Sequence, residues 1–233
     1  MVSLSGCART PSGVETSTIG DLLVTLTVAG TLNPAYDYFV VFNTSNNSSP
    51  GLLTGGPCPV IAAGGNGFVS GAATQFFEYN GSNQNGEVYS FITSNTASPL
   101  GQYEPIGPPT SVNVSSNSIQ FRVPLSYLAT STISATNISY MQINFLTYSN
   151  LDLTNGNQVT YFDALGGSSS AQLSGYISIS VAQGATYSST NGLVGLGLVQ
   201  QTTGNGQTIN AVDQGSAESQ SLYITGWSVQ VEN

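Results

Sequence analysis

Eleven carboxylates, two arginines, no lysine and no histidine are the ionic resources of this 233-residue chain. Without histidine, every nucleophilic triad, zinc site or proton shuttle that needs an imidazole is excluded. Glu78 and Glu87 flank the turn-forming stretch Asn80-Gly81-Ser82-Asn83-Gln84-Asn85-Gly86. On neighbouring strands the two acids would face one another, as in glycosidases that hold two carboxyls roughly 5 Å apart; on an ordinary hairpin both point to solvent. Asp152 and Asp163 lie near Asn155, Gly156 and Asn157, an oxygen-rich stretch that would suit calcium or serve as a polar turn. No other cofactor is implied. Aromatic residues are the third resource. Sugars stack their C–H faces on Tyr or Trp rings while amides and carboxylates take the hydroxyls. Tyr79, Tyr89, Tyr103, Tyr127 and Tyr148 fall at strand ends or in loops and are the candidate ligand-binding residues, with Glu78 and Glu87. Trp227, the single Trp, sits in an apolar strand and reads as core. The glycine-rich stretches at Gly55-Gly56 and Gly64-Gly65-Asn66-Gly67 lack the Lys and following helix of a phosphate loop. They read as turns around a short strand, Val60 to Ala62.

The elements that must position these groups read as strands. Leu22, Val24, Leu26 and Val28 alternate with polar or opposite-facing neighbours, the period of a half-buried strand. Tyr36 to Phe42 is apolar on both faces and reads as a central strand. Thr74 to Tyr79 and Glu87 to Thr93 form a hairpin around the Asn/Gly stretch. Ile119, Phe121, Val123 and Leu125 alternate up to Pro124, which ends the strand or keeps it at an edge. Met141 to Phe145, Val159 to Phe162, Tyr176 to Val181, Gly192 to Gln200 and Leu222 to Val231 bring the total to about ten strands. The apolar phase of the last one flips at Gly226, which predicts a β-bulge there. Ser126 to Thr130 has room for one helical turn, and Ser94 to Val112, rich in Pro and Gly, reads as a long loop. The fold class is therefore all-β: an antiparallel, jelly-roll-like β-sandwich with little helix, one domain over residues 19–233.

Composition narrows the partners. Only 6% of residues are charged, against about 25% in an average protein, and the net charge is -9. This excludes nucleic acid and a polybasic membrane contact. With 39% hydrophobic residues the chain can bury a core. No run approaches the roughly 20 apolar residues of a spanning helix. Few ion pairs can form, so a shallow loss of stability toward acid is expected. Asn43, Asn46, Asn47, Asn80, Asn113 and Asn137 each open an Asn-x-Ser/Thr sequence, the acceptor pattern for N-linked glycans. In a chain so rich in Asn, Ser and Thr, several arise by chance; a bacterial lipoprotein would seldom use them, whereas an archaeal chain could carry glycans there and a lipoprotein reading would weaken.

Two short patterns resemble known families. Leu4-Ser5-Gly6-Cys7 resembles the lipobox of bacterial lipoproteins, which implies cleavage before Cys7 and a diacylglyceryl group on its sulfur. Residues 1–6 then read as the remnant of a signal peptide and residues 7–18, polar and aperiodic, as a tether. The other reading is a Cys7–Cys58 disulfide in an oxidising compartment. Both place the protein outside the cytoplasm. Across residues 19–165, Asp21 opens an alternating strand, an aromatic strand ends in a polar loop, and Phe121-Arg122-Val123-Pro124-Leu125-Ser126-Tyr127-Leu128 precedes the strand Met141 to Thr147. This order resembles the DOMON-like sandwiches, which include family nine carbohydrate-binding modules. That resemblance implies a ligand-binding sandwich for sugar or haem. Haem there is ligated by His or Met, and this chain has no His and two Met, which speaks against haem. The usual Asp-rich loop is here Asn43 to Ser49, without a carboxylate, which speaks against calcium at that loop.

The expected function is thus an extracytoplasmic, lipid-anchored, non-catalytic binding module, with carbohydrate as the expected ligand and no enzymatic activity. The alternative is a structural surface protein, a filament, sheath or pilus subunit self-assembling by strand addition; a jelly-roll glycoside hydrolase comes third. Cys7 is expected to be the acylated amino terminus of the native protein. Intact-mass analysis checks this, and a Cys7–Cys58 bond would overturn it.

Overall fold

A computed structural model describes residues 20–46, 57–59, 69–70, 72–92, 102–149, 162–165, 176–182, 184–189, 192–194, 200–201, 208–210 and 220–232. The chain is all-β, built on two antiparallel sheets. Numbered along the chain, the six-stranded sheet runs β14 (Gly192–Val194), β13 (Thr186–Ser188), β17 (Ile224–Glu232), β1 (Asp21–Val28), β9 (Ser118–Pro124), β8 (Ser111–Val114). The nine-stranded sheet runs β15 (Gln200–Gln201), β12 (Ile177–Ser180), β10 (Tyr140–Ser149), β2 (Tyr36–Ser45), β5 (Gln75–Tyr79), β6 (Glu87–Ile92), β7 (Gln102–Gly107), with β11 (Phe162–Leu165) and β16 (Thr208–Asn210) off this path. A separate two-stranded ladder joins β3 (Cys58–Pro59) to β4 (Val69–Ser70).

Period-two patterning builds the sandwich. Leu22, Val24, Leu26 and Val28 of β1 point inward with Ile119, Phe121 and Val123 of β9 and with Trp227, Val229 and Val231 of β17. Tyr38, Val40, Phe42, Phe77, Met141, Ile143 and Phe145 meet them from the other sheet. Two aromatic pairs bridge the sheets: Phe77 on Phe121, ring centroids 3.8 Å apart, and Phe145 on Trp227, 5.7 Å apart. β2 lies between β10 and β5 and is buried on both faces, as its two-sided apolar sequence predicts.

Polar side chains of the large sheet fasten its partner. The Tyr38 hydroxyl donates to the Ser221 carbonyl at 3.1 Å and Thr147 Oγ1 to the Leu222 carbonyl at 2.6 Å. Asp163 Oδ2 accepts from the Ile224 N–H at 2.7 Å. All three contacts fall on the segment that enters β17. On β10, the partner strand changes from β12, opposite Tyr140–Ile143, to β11, opposite Leu146–Tyr148. Asn144 sits at this split: its Oδ1 accepts from the Leu165 N–H at 3.1 Å and its Nδ2 donates to the Pro57 carbonyl at 2.8 Å.

Several expectations shift in detail. Ser94 to Val112 is not one long loop, since β7 and the start of β8 fall within it. Pro105 is tolerated in β7 because that strand is at the sheet edge, paired only with β6 among the described residues, and a register shift lies beside it. The span Gly192 to Gln200 is not one strand: its two ends belong to different sheets. A 3-10 turn occupies Leu125–Leu128, one residue before the expected helical turn. The bulge in β17 is present but lies at Thr225. Thr27 pairs with Gly226 and Val28 with Ile224, leaving Thr225 as the extra, exposed residue. Gly226 is not among the positive-φ glycines, because the extra residue precedes it. Val60 to Ala62, residues 1–18 and Asp152 lie outside the described residues.

Trp227 is 5% exposed, and its buried Nε1 has no hydrogen-bond partner among the described residues. Trp227→Ala is expected to cost about 3–5 kcal/mol, a large share of the roughly 5–15 kcal/mol that stabilises a domain. Trp227→Phe keeps the stack on Phe145 and removes the unsatisfied donor, so it is expected to cost much less. Denaturant melts of the two variants check the order.

Candidate functional site

The outer face of the large sheet is apolar as well. Phe39, Val41, Phe76, Leu146, Tyr148 and Ala164 form a second buried cluster, with Ala73, Tyr89, Phe91 and Tyr103 packed against it at partial burial. Strand register explains the set. Phe76 lies opposite Tyr89 across β5 and β6, and Phe91 opposite Tyr103 across β6 and β7. Phe76 is the hub. It stacks on Tyr89 with centroids 4.8 Å apart, lies 4.9 Å from Phe91, and meets Tyr103 edge-on at 5.3 Å.

Carboxylates stand along one side of this array. Glu78 pairs in register with Glu87 across the hairpin and with Phe39 on β2. Asp37 enters through Asn80, whose Nδ2 donates to Asp37 Oδ1 at 2.9 Å and to Glu78 Oε1 at 3.2 Å. The same residue shapes the turn. Asn80 Oδ1 accepts from the N–H groups of Ser82 (3.0 Å) and Asn83 (2.8 Å), the local bonding for which Asn is favoured in turns. The loop then closes through Gly86, at φ +66°, where a Cβ would run into the Phe77 ring. The turn that carries Asn80 is thereby pinned to the inner core.

Burial shifts the titrations. Glu78 is 8% exposed. Desolvation, and then the charge of Asp37, push its carboxyl up to about 7, against opposing hydrogen bonds from Tyr89 and Asn80. The Tyr89 phenol is pushed up to about 12 by burial and by Glu78, and burial raises that of Tyr103. Both hydroxyls therefore remain donors across the physiological range. Arg122, the one cation among the described residues, is on the other sheet, where its Nε donates to Glu232 at 2.8 Å and stands 3.9 Å from Asp21.

The sequence-derived candidates thus divide. Glu78, Glu87, Tyr89 and Tyr103 come together on this face. Tyr148 shares the face but is fully buried beneath it, edge-on to Phe39, so it supports the array and is not a stacking platform. Tyr79 packs on the inner core beside Tyr38. Tyr127, in the 3-10 turn, also packs on the inner core. Asp163 has no exposed surface. Its oxygens accept from the Ala164 and Ile224 N–H groups, and burial pushes its carboxyl up to about 8. It is engaged as a link between sheets rather than presented to a metal, and no group of three or more His, Cys, Asp or Glu able to hold one occurs among the described residues. Sequence reasoning missed Asp37, Asn80, Phe76 and Phe91. The signal for Asn80 was its place at the start of an Asn/Gly turn directly after Glu78.

Stability follows from these shifts. A carboxyl whose folded pKa is raised keeps its proton in the native state while the unfolded chain loses it, so stability falls as pH rises through that window. For Glu78 the window runs from 4.5 to about 7, and for Asp163 from 3.8 to about 8. This contribution has the opposite sign to the shallow acid loss expected from composition. The melting temperature is expected to be several degrees higher near pH 4 than near pH 8, and Glu78→Gln to reduce the slope between pH 5 and 7 while leaving the share of Asp163. Thermal melts across that range check both.

No family model, curated protein or solved structure matches this chain.

Proposed function

We propose that the protein is an extracytoplasmic, non-catalytic binding module that holds carbohydrate on the outer face of its nine-stranded sheet, tethered to a membrane through a lipid on Cys7. The observation that carries the reading is the meeting of partly buried rings with carboxylate and amide groups on one face: Tyr89, Phe91 and Tyr103 beside Glu78, Glu87 and Asn80. Rings of this kind take the apolar face of a pyranose, and phenol, amide and carboxylate groups take its hydroxyls. The rings stand on β6 and β7, whose backbones are fixed by pairing with β5 and with each other, so little order has to be imposed on binding.

Binding is favoured over hydrolysis because Glu78, the buried member of the Glu78–Glu87 pair, is already engaged. Asn80 holds one oxygen of Asp37 and one of Glu78, and Tyr89 hydrogen-bonds Glu78. A general acid must instead present its proton to the glycosidic oxygen. The acidic surround favours neutral or amine-bearing sugars over anionic ones, since like charges repel. A second reading, a surface subunit that assembles by strand addition, draws on β8, a four-residue strand that pairs with β9 alone among the described residues.

A glycan array followed by calorimetry tests the first reading. The wild-type chain is expected to retain uncharged glycans. Tyr89→Ala is expected to lose about two- to tenfold in affinity, matching the roughly 0.5–1.5 kcal/mol of an aromatic contact, with the fold intact by circular dichroism. Retention of no glycan, or equal affinity in wild type and Tyr89→Ala, would sink the reading.

A further inference from the structure

Of the six Asn-x-Ser/Thr sequences only Asn80 belongs to the site above; Asn46 and Asn47 open sequences that run outside the described residues, and the fold sorts the other four. Asn43 donates its Nδ2 to Gln142 Oε1 at 2.7 Å, within the paired strands β2 and β10. Asn80 spends its Nδ2 on Asp37 and Glu78. A sugar on either nitrogen would displace these bonds. Asn113 and Asn137 differ. Both are exposed, and each has its hydroxyl residue, Ser115 or Ser139, in a described turn or loop. Asn113 lies on β8 opposite Gln120. Its neighbour Val112 packs on the inner core, so alternation along the strand turns Asn113 toward solvent. Asn137 ends the short 3-10 turn Ala135–Asn137.

We propose that Asn113 and Asn137 are acceptor sites for N-linked glycans in a compartment that holds an Asn-glycan transferase, and that the glycan on Asn113 covers the β8 edge of the six-stranded sheet, which pairs with β9 alone among the described residues. In the transfer, Nδ2 forms a bond to the anomeric carbon of a lipid-diphosphate-linked oligosaccharide. The anomeric C–O bond breaks, the lipid diphosphate leaves, and Nδ2 gives up one proton. The role at Asn113 follows from the edge. β8 has no Pro, Lys or other charged residue to discourage a second strand, and such edges invite pairing between chains. A bulky, hydrated group in the middle of the strand would block that approach. This inference needs export but neither sugar binding at the aromatic face nor the lipid on Cys7, and glycans at these sites would weigh against that lipid.

The full chain, secreted from yeast, is treated with peptide N-glycosidase in heavy-oxygen water and mapped by peptide mass. Asn113 and Asn137 are expected to convert to labelled Asp, while Asn43 and Asn80 stay unconverted. Asn113→Gln and Asn137→Gln are each expected to remove one glycan from the intact mass. An unmodified Asn113 or Asn137, or a glycan on Asn43 or Asn80 in the folded protein, overturns the acceptor assignment. In size-exclusion chromatography Asn113→Gln is expected to run partly as oligomer at a concentration where Asn137→Gln is monomeric. Identical elution of the two overturns the edge-covering role.

Discussion

A shortage of cations governs this structure. With two arginines against eleven acids, most carboxylates cannot be neutralised by an ion pair. Arg122 serves Asp21 and Glu232 together, at the end of the six-stranded sheet where β1, β9 and β17 lie side by side. Acids removed from water elsewhere need another solution. Asp163 takes two backbone N–H groups, and Asp37 and Glu78 share the amide of Asn80. Because hydrogen bonds offset desolvation less completely than an opposite charge does, Glu78 and Asp163 titrate far above the ordinary carboxylate range.

The second governing feature is a sheet that is apolar on both faces. β2 contributes Tyr38, Val40 and Phe42 to the inner core and Phe39 and Val41 to the outer cluster. Neighbouring β5 divides in the same way, with Phe77 inside and Phe76 outside. The aromatic face is therefore rooted in strands that the sandwich itself holds in place, and a ring such as Phe76 is fixed by contacts with four others. That rigidity suits a surface that stacks a ligand without reorganising.

One hairpin joins the two systems. Asn80 caps its own turn and bridges two acids, while Gly86 lets the chain return over the Phe77 ring. Phe77 in turn stacks on Phe121 across the sandwich. The acids of the outer face are thus placed by a turn whose geometry depends on inner-core packing. A disturbance of either side reaches the other through a single loop.

By itself the sequence determined the class of fold, the hairpin that sets Glu78 opposite Glu87, the central place of β2 and the burial of Trp227. Each of these follows from local information: two-residue alternation, turn chemistry and apolar content. Alternation assigns residues to faces without saying what covers each face. Tertiary structure therefore decided that Tyr148 lies under the aromatic array, that Tyr79 and Tyr127 pack inward, and that Asp163 reaches across to Ile224. The bulge shows the same division. The phase flip before Trp227 required an extra residue, and packing against Thr27 and Val28 placed it at Thr225 instead of Gly226. Asn80 met Asp37, 43 residues away in sequence, because β2 and β5 became neighbours, and such pairing depends on the whole sheet closing.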